Sequence, residues 1–186
     1  MSQDQAHTPI TGYHGCDSAN VPGIKAENFK CSRGSDHWLG EGVYFFGAGF
    51  SNPAEDAKQW AIAQSWDNVR QTRFYLNYSV LKATIVAKKP LDMTQDDGKA
   101  KVNAAREAIC RRVRAVGGYN DNEIVCWLAK KYGFDVLVQD LYIKFSAMRK
   151  LRINSRFPNV RVICVRDPVS AIDKKSISVT YTALIT

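Results

Sequence analysis

Tyr13–Ile24 reads YHGCDSANVPGI and Trp38–Phe46 reads WLGEGVYFF, and the two stretches taken together decide what kind of fold this is. In the first, His14 precedes Gly15, so an imidazole stands next to a main chain with no Cβ, which a planar amide can approach closely. In the second, Gly42 leads into Val43-Tyr44-Phe45-Phe46, a short strand whose tyrosine can offer its ring face to a flat heterocycle. Together they suit a clamp for a ring such as nicotinamide. The same residues equally suit a satisfied histidine and an ordinary buried strand, and on residue chemistry alone both readings stay open.

Outward from these stretches, the chain alternates helical and strand periods. In SNPAEDAKQWAIAQSW, Asn52 is placed as N-cap, Pro53 at the first helical position and Glu55 three residues after the cap to reach back to it. Ala57, Trp60, Ala61 and Ala63 to Gln64 then form one inward stripe. VLKATIV, from Val80 to Val86, alternates with a period of two: Leu81, Ala83 and Ile85 point one way, Lys82 and Thr84 the other. KAKVNAAREAICRRVRAV returns to helical spacing, with Val102, Ala105, Ile109, Val113 and Val116 inward, and Gly117 and Gly118 end it. A shorter helix is predicted from about Asp121 to Tyr132, broken at Gly133, followed by strands in FDVLV, VRVICVR and SISVTYTALI. Strands scattered among helices without βαβ alternation predict an α+β domain. No repeat, low-complexity tract or linker interrupts the 186 residues, which are read as one domain over 1–186.

Charge and cysteine usage narrow the partners. The formal net charge is +8, from 26 Lys and Arg against 18 Asp and Glu, which favours polyanions. No acidic residue occurs between Leu141 and Arg166, a segment that carries Lys144, Arg149, Lys150, Arg152, Arg156 and Arg161 among Tyr142, Phe145 and Phe157. Five irregularly spaced cysteines fit neither a disulfide framework nor a zinc site, so no metal is expected. The opening MSQDQAHTPI has no basic-then-apolar leader pattern and no apolar run reaches membrane-spanning length, so a cytoplasmic protein without a membrane partner is expected.

From His14 to Trp60 the chain resembles the NAD-binding half of the ADP-ribosyltransferase fold, in the branch shared by poly(ADP-ribose) polymerases and diphtheria-like toxins, whose triad is His-Tyr-Glu. The resemblance rests on His14-Gly15-Cys16, Asn20, Gly23-Ile24, Asn28-Phe29 and Gly40-Glu41-Gly42-Val43-Tyr44-Phe45, in that order. It implies an ADP-ribosyltransferase-like split β-sandwich of two mainly antiparallel sheets with flanking helices, and NAD as co-substrate. His14 would bond the ribose next to the nicotinamide, the main chain of Gly15 would pair with the carboxamide, and Tyr44 would stack on the ring. Gly42, Phe45, Lys30 near the adenosine or phosphates, and Trp60 as a second aromatic complete the implied NAD set. The third triad position falls on Val162, where the glutamate is absent; Glu41, Glu123 and Asp140 are the acidic candidates to replace it. The expectation is a mono-ADP-ribosyltransferase resembling small bacterial toxins and phage-defence effectors. Its acceptor would be nucleic acid, RNA ahead of DNA, held by Lys144, Arg149, Lys150, Arg152 and Arg156, with an antitoxin or regulator protein as a further partner. A silent NAD- or nucleic-acid-binding module, a protein-directed transferase and a tRNA 2′-phosphotransferase remain as alternatives.

Overall fold

The structure, a computed structural model, describes residues 8–32, 37–112 and 120–186. Its strands are β1 (Ile10–Asp17), β2 (Val43–Gly47), β3 (Trp66–Asp67), β4 (Thr72–Arg73), β5 (Asn77–Ile85), β6 (Pro90–Asp92), β7 (Val136–Leu141), β8 (Val160–Val165) and β9 (Ser178–Leu184). The helices are α1 (Val21–Glu27), α2 (Pro53–Gln64), α3 (Asp96–Arg112), α4 (Asp121–Tyr132), α5 (Ser146–Lys150) and α6 (Pro168–Ala171). Seven strands form one sheet in the order β6-β7-β8-β2-β1-β5-β9, antiparallel except for β6 beside β7, while β3 and β4 form a separate ribbon. The domain is therefore α+β.

The sheet is narrow at its centre. All eight residues of β1 pair with β5, yet β1 meets β2 at a single pair, Tyr13 with Phe46. The two sheets implied by the resemblance are thus two halves of one sheet, joined at a seam one residue pair wide. Strand alternation sends the side chains of β2 to opposite cores: Val43 and Phe45 pack with Leu81, Ile85, Val136 and Ile163, while Tyr44 and Phe46 face Val80, Leu137, Val162 and Cys164. GVYFF is apolar throughout because both faces of β2 are covered.

Local signals explain the helices around this sheet. Asn52 caps α2 by accepting from the amides of Ala54 and Glu55. Glu55 does not reach back to the cap as anticipated; its carboxylate pairs instead with Lys58 at 2.9 Å. Ala57 and Ala61 are the buried stripe of α2, and Gln64 is exposed rather than inward. Helix α3 begins at Asp96, with Asp96 and Asp97 complementing its dipole, and buries Val102 and Ala105. Val113, Val116, Gly117 and Gly118 lie outside the described residues. Helix α4 spans the predicted Asp121–Tyr132, started by an Asn120–Glu123 capping box and ended at Gly133. Helices α1 and α5 were not expected from the sequence. No described helix is long and apolar enough to cross a membrane, and no disulfide joins two of the described cysteines.

Candidate functional site

The seam between β1 and β2 makes the site. Past Tyr13 the two strands have no further ladder pairs, and a side chain bridges the opening: His14 Nδ1 lies 2.8 Å from the Tyr44 carbonyl oxygen. A carbonyl only accepts, so Nδ1 carries the proton and Nε2 keeps its lone pair while the ring is neutral. The imidazole is held edge-on to Phe29 at 5.1 Å and tilted against Phe45 at 5.6 Å. Burial pulls the His14 pKa below its ordinary 6.5, against the opposing pull of the bond to Tyr44. At neutral pH the ring is therefore an uncharged acceptor suited to a hydroxyl.

Tyr44 is fixed at both ends. Its hydroxyl accepts from the Leu39 amide at 2.9 Å and donates to the Gly40 carbonyl at 2.7 Å, and burial raises its pKa. The phenolic oxygen is committed to the Trp38–Gly40 loop, and the ring is what remains for a ligand. Trp38 stands edge-on to Tyr44 at 6.2 Å and packs on Trp60 at 5.0 Å, while His37 tilts against Tyr44 at 5.7 Å. Around these rings lies a cavity of about 260 Å³, closed at its edges by His14, Lys30, Gly42 and Gln64. A second cavity of about 390 Å³, lined by Cys16, Asn20, Gly23, Asn28 and Phe29, shares His14, Lys30 and Val43 with the first. One compartment is aromatic and the other is rich in amides and small residues, and His14 stands at their junction.

Of the residues implied by the resemblance, His14, Lys30, Gly42, Tyr44 and Trp60 meet around the first cavity. Lys30 does so from the rim, with its side chain 83% exposed and ion-paired to Glu27. Gly42 is required by packing: a Cβ there would sit 2.5 Å from Cys164 Sγ. The reason given for Gly15 changes, because a Cβ there would meet the Ala57 carbonyl oxygen at 1.9 Å. Its missing side chain admits helix α2, not a ligand. Phe45 does not line the cavity; it is fully buried on the opposite face, where it supports His14 and Phe29.

The third triad position also moves out of the site. Val162 is 1% exposed, paired with Phe46 on one side and Gln139 on the other, and lines neither cavity. It is a core residue. The strand position beside Tyr44 belongs to Cys164, itself fully buried. None of the three acidic candidates reaches the cleft: Glu41 is exposed, Glu123 belongs to the α4 capping box, and Asp140 holds Arg161 through bonds of 2.8 and 3.0 Å. Among the described residues no carboxylate lines either cavity. Sequence reasoning gave no site role to Trp38, His37, Gln64 and Phe29. The signal for Trp38 was its place within the same quoted stretch as Tyr44, where the loop turns back onto the strand.

The basic segment is a separate surface. Lys144, Arg149, Lys150, Arg152 and Arg156 are all exposed and none lines the cleft. Arg149 donates to the Lys144 carbonyl and Lys144 bonds Asn154, so the segment is tied mainly to itself. Its end is anchored where Ser51, just before α2, donates to the Asn159 carbonyl at 3.2 Å. Trp60 and Gln64 meet the cavity two turns and more along the same helix. At 1.5 Å per residue, roughly 10–17 Å of α2 separates the two places. No protein-family model matches the chain, and no curated protein sequence matches it.

Proposed function

We propose that the chain is an NAD-dependent mono-ADP-ribosyltransferase acting on nucleic acid, RNA in preference to DNA. The observation that carries this reading is the meeting of His14 and Tyr44 across the sheet seam, at the junction of an aromatic and a polar cavity. A flat nicotinamide ring suits the space bounded by Trp38, Tyr44 and Trp60, and His14 Nε2 is free to accept from a ribose hydroxyl. Lys30, on the rim of both cavities, suits the diphosphate between them, and Asn20 offers a polar partner to the adenosine end.

The chemistry supplied by NAD is a glycosidic carbon that loses neutral nicotinamide as an acceptor attacks. The chain's part is to orient and desolvate: indole and phenol rings exclude water from one face, and the neutral His14 fixes the sugar. With no carboxylate among the described lining residues, activation of a weak hydroxyl for repeated addition has no base of that kind, which supports a single ADP-ribose unit. The net charge of +8 and the exposed basic segment support a nucleic-acid acceptor. The same lack of a carboxylate favours a second reading, a module that binds NAD without cleaving it.

Incubation with NAD labelled in the adenylate, together with cell lysate, tests both. Nicotinamide release with label in the nuclease-sensitive fraction supports the first reading. Label in the protease-sensitive fraction moves the acceptor to protein, and NAD binding without nicotinamide release establishes the silent module.

A further inference from the structure

Away from the seam, a second ring-lined groove of about 310 Å³ lies between α3 and the C-terminal half of α4. Its floor is apolar, with Ala105, Leu128 and Phe134 buried, and its rim carries the half-buried Trp127 and Tyr132, which is 47% exposed. Lysines stand over all three rings. Lys131 Nζ is 4.7 Å from the centre of Trp127 and 5.1 Å from that of Tyr132, and Lys89 and Lys101 are 5.7 and 6.0 Å from Phe134. Lys101 is also paired with Asp97, but among the described residues Lys89 and Lys131 have no carboxylate partner, and no acidic residue lines the groove.

This concentration of charge is invisible as a run, because its lysines come from three separate places: 89, 101 and 131. Lysines in the last turn of α4 also suit its dipole, but Lys89 stands on the connection before β6 and has no such reason to be there. A ring contact positions an ammonium group without neutralising it, so the rim presents net positive charge around an apolar slot. An occupant must pair flat apolar groups with closely spaced anions.

We infer that the α3–α4 groove binds single-stranded nucleic acid, taking a base against Trp127, Tyr132 and Phe134 and the flanking phosphates on Lys89 and Lys131. Three rings at one slot favour stacked bases over an acidic peptide, whose anions need no ring faces. The inference is independent of the transfer activity, since binding is read without NAD.

The test is fluorescence anisotropy of a labelled twelve-nucleotide single-stranded RNA of mixed sequence with the full chain, NAD omitted, across a salt series. Wild type binds, and affinity falls as salt rises. The double substitution Lys89→Ala and Lys131→Ala weakens binding about tenfold or more and flattens the log–log salt slope by about 1.4, two single-strand phosphate contacts. Trp127→Ala also weakens binding about tenfold, and Trp127→Phe, which keeps a ring and guards against misfolding, recovers most of it. No binding by wild type overturns the inference. Unchanged binding by the double variant overturns it equally, as does a loss found only when Arg149, Lys150 and Arg152 are replaced. A glutamate-rich peptide carrying phenylalanine that binds the groove where RNA does not would assign the site to an acidic protein instead.

Discussion

The His14 and Tyr44 stretches and the basic segment between Leu141 and Arg166 were both conspicuous in the sequence, and the fold treats them oppositely. His14 and Tyr44 sit on separate strands, yet one hydrogen bond and a set of ring contacts bring them to the same cavity. The basic residues are neighbours in sequence, yet in space they form an exposed loop at the far end of α2 from that cavity. Residues ordered along strands are placed by hydrogen-bond register, which leaves no freedom. A run of charge guarantees only exposure, and the α3–α4 groove shows that a concentrated cationic surface can arise with no run at all.

The most severe way to break this comparison is Val162→Glu. It places a carboxylate in a core position between Phe46 and Gln139, and a loss of about 4 kcal/mol or more is expected, seen as loss of cooperative unfolding in urea. A soluble, stable variant with altered NAD turnover would instead put position 162 at the site. His14→Ala comes next: under the proposed function, nicotinamide release falls about a hundredfold or more, because the ribose would lose its orienting partner. Retained release would remove the seam from the chemistry.

Tyr44→Phe sharpens the role of the hydroxyl. Stacking survives, but the buried Leu39 amide and the Gly40 carbonyl lose their partner, at a cost of about 1–3 kcal/mol in chemical denaturation. The sequence predicts that Tyr44→Phe is milder than Tyr44→Ala because a ring is kept, and the bonds to Leu39 and Gly40 add a stability cost to that change. The pH dependence of stability isolates His14. Its pKa is depressed in the folded chain, so the unfolded chain takes up the proton first, and stability is lost as pH falls below about 6.5 toward the folded value. His14→Gln should flatten that part of the pH profile, and an unchanged slope would assign the acid sensitivity elsewhere. The smallest effect belongs to the combined Arg149→Ala, Lys150→Ala and Arg152→Ala change: stability within about 0.5 kcal/mol, with nicotinamide release unaltered. A fall in release from NAD alone would join the basic segment to the cavity after all.

Legibility followed physical locality. Helix α4 was readable to the residue because a capping box and a terminal glycine lie within its own sequence, and Leu81-Ala83-Ile85 declared a strand by period alone. The resemblance pointed to His14, Tyr44 and Trp60, and the structure brings all three to one cavity. Gly15 was legible as necessary, but its reason, the close passage of the Ala57 carbonyl, depends on how a helix forty residues later crosses β1. Trp38 was missed because a tryptophan before a strand looks like core until the loop is seen to fold back over Tyr44. The role of Val162 was misjudged because strand position fixes which face a side chain takes, not whether that face opens on a cleft or on packed neighbours.

Trp38 and Trp60, packed 5.0 Å apart with their planes at 55°, are two of the four tryptophans in the chain, and the other two, Trp66 and Trp127, line neither seam cavity. Indoles this close couple their electronic transitions, so the pair contributes a circular dichroism couplet and a shared emission that depend on the angle between the rings. A flat molecule entering beside them stacks on an indole face or turns one ring against the other. Occupancy of the cavity is thereby written into the protein's own optical spectrum, without a label.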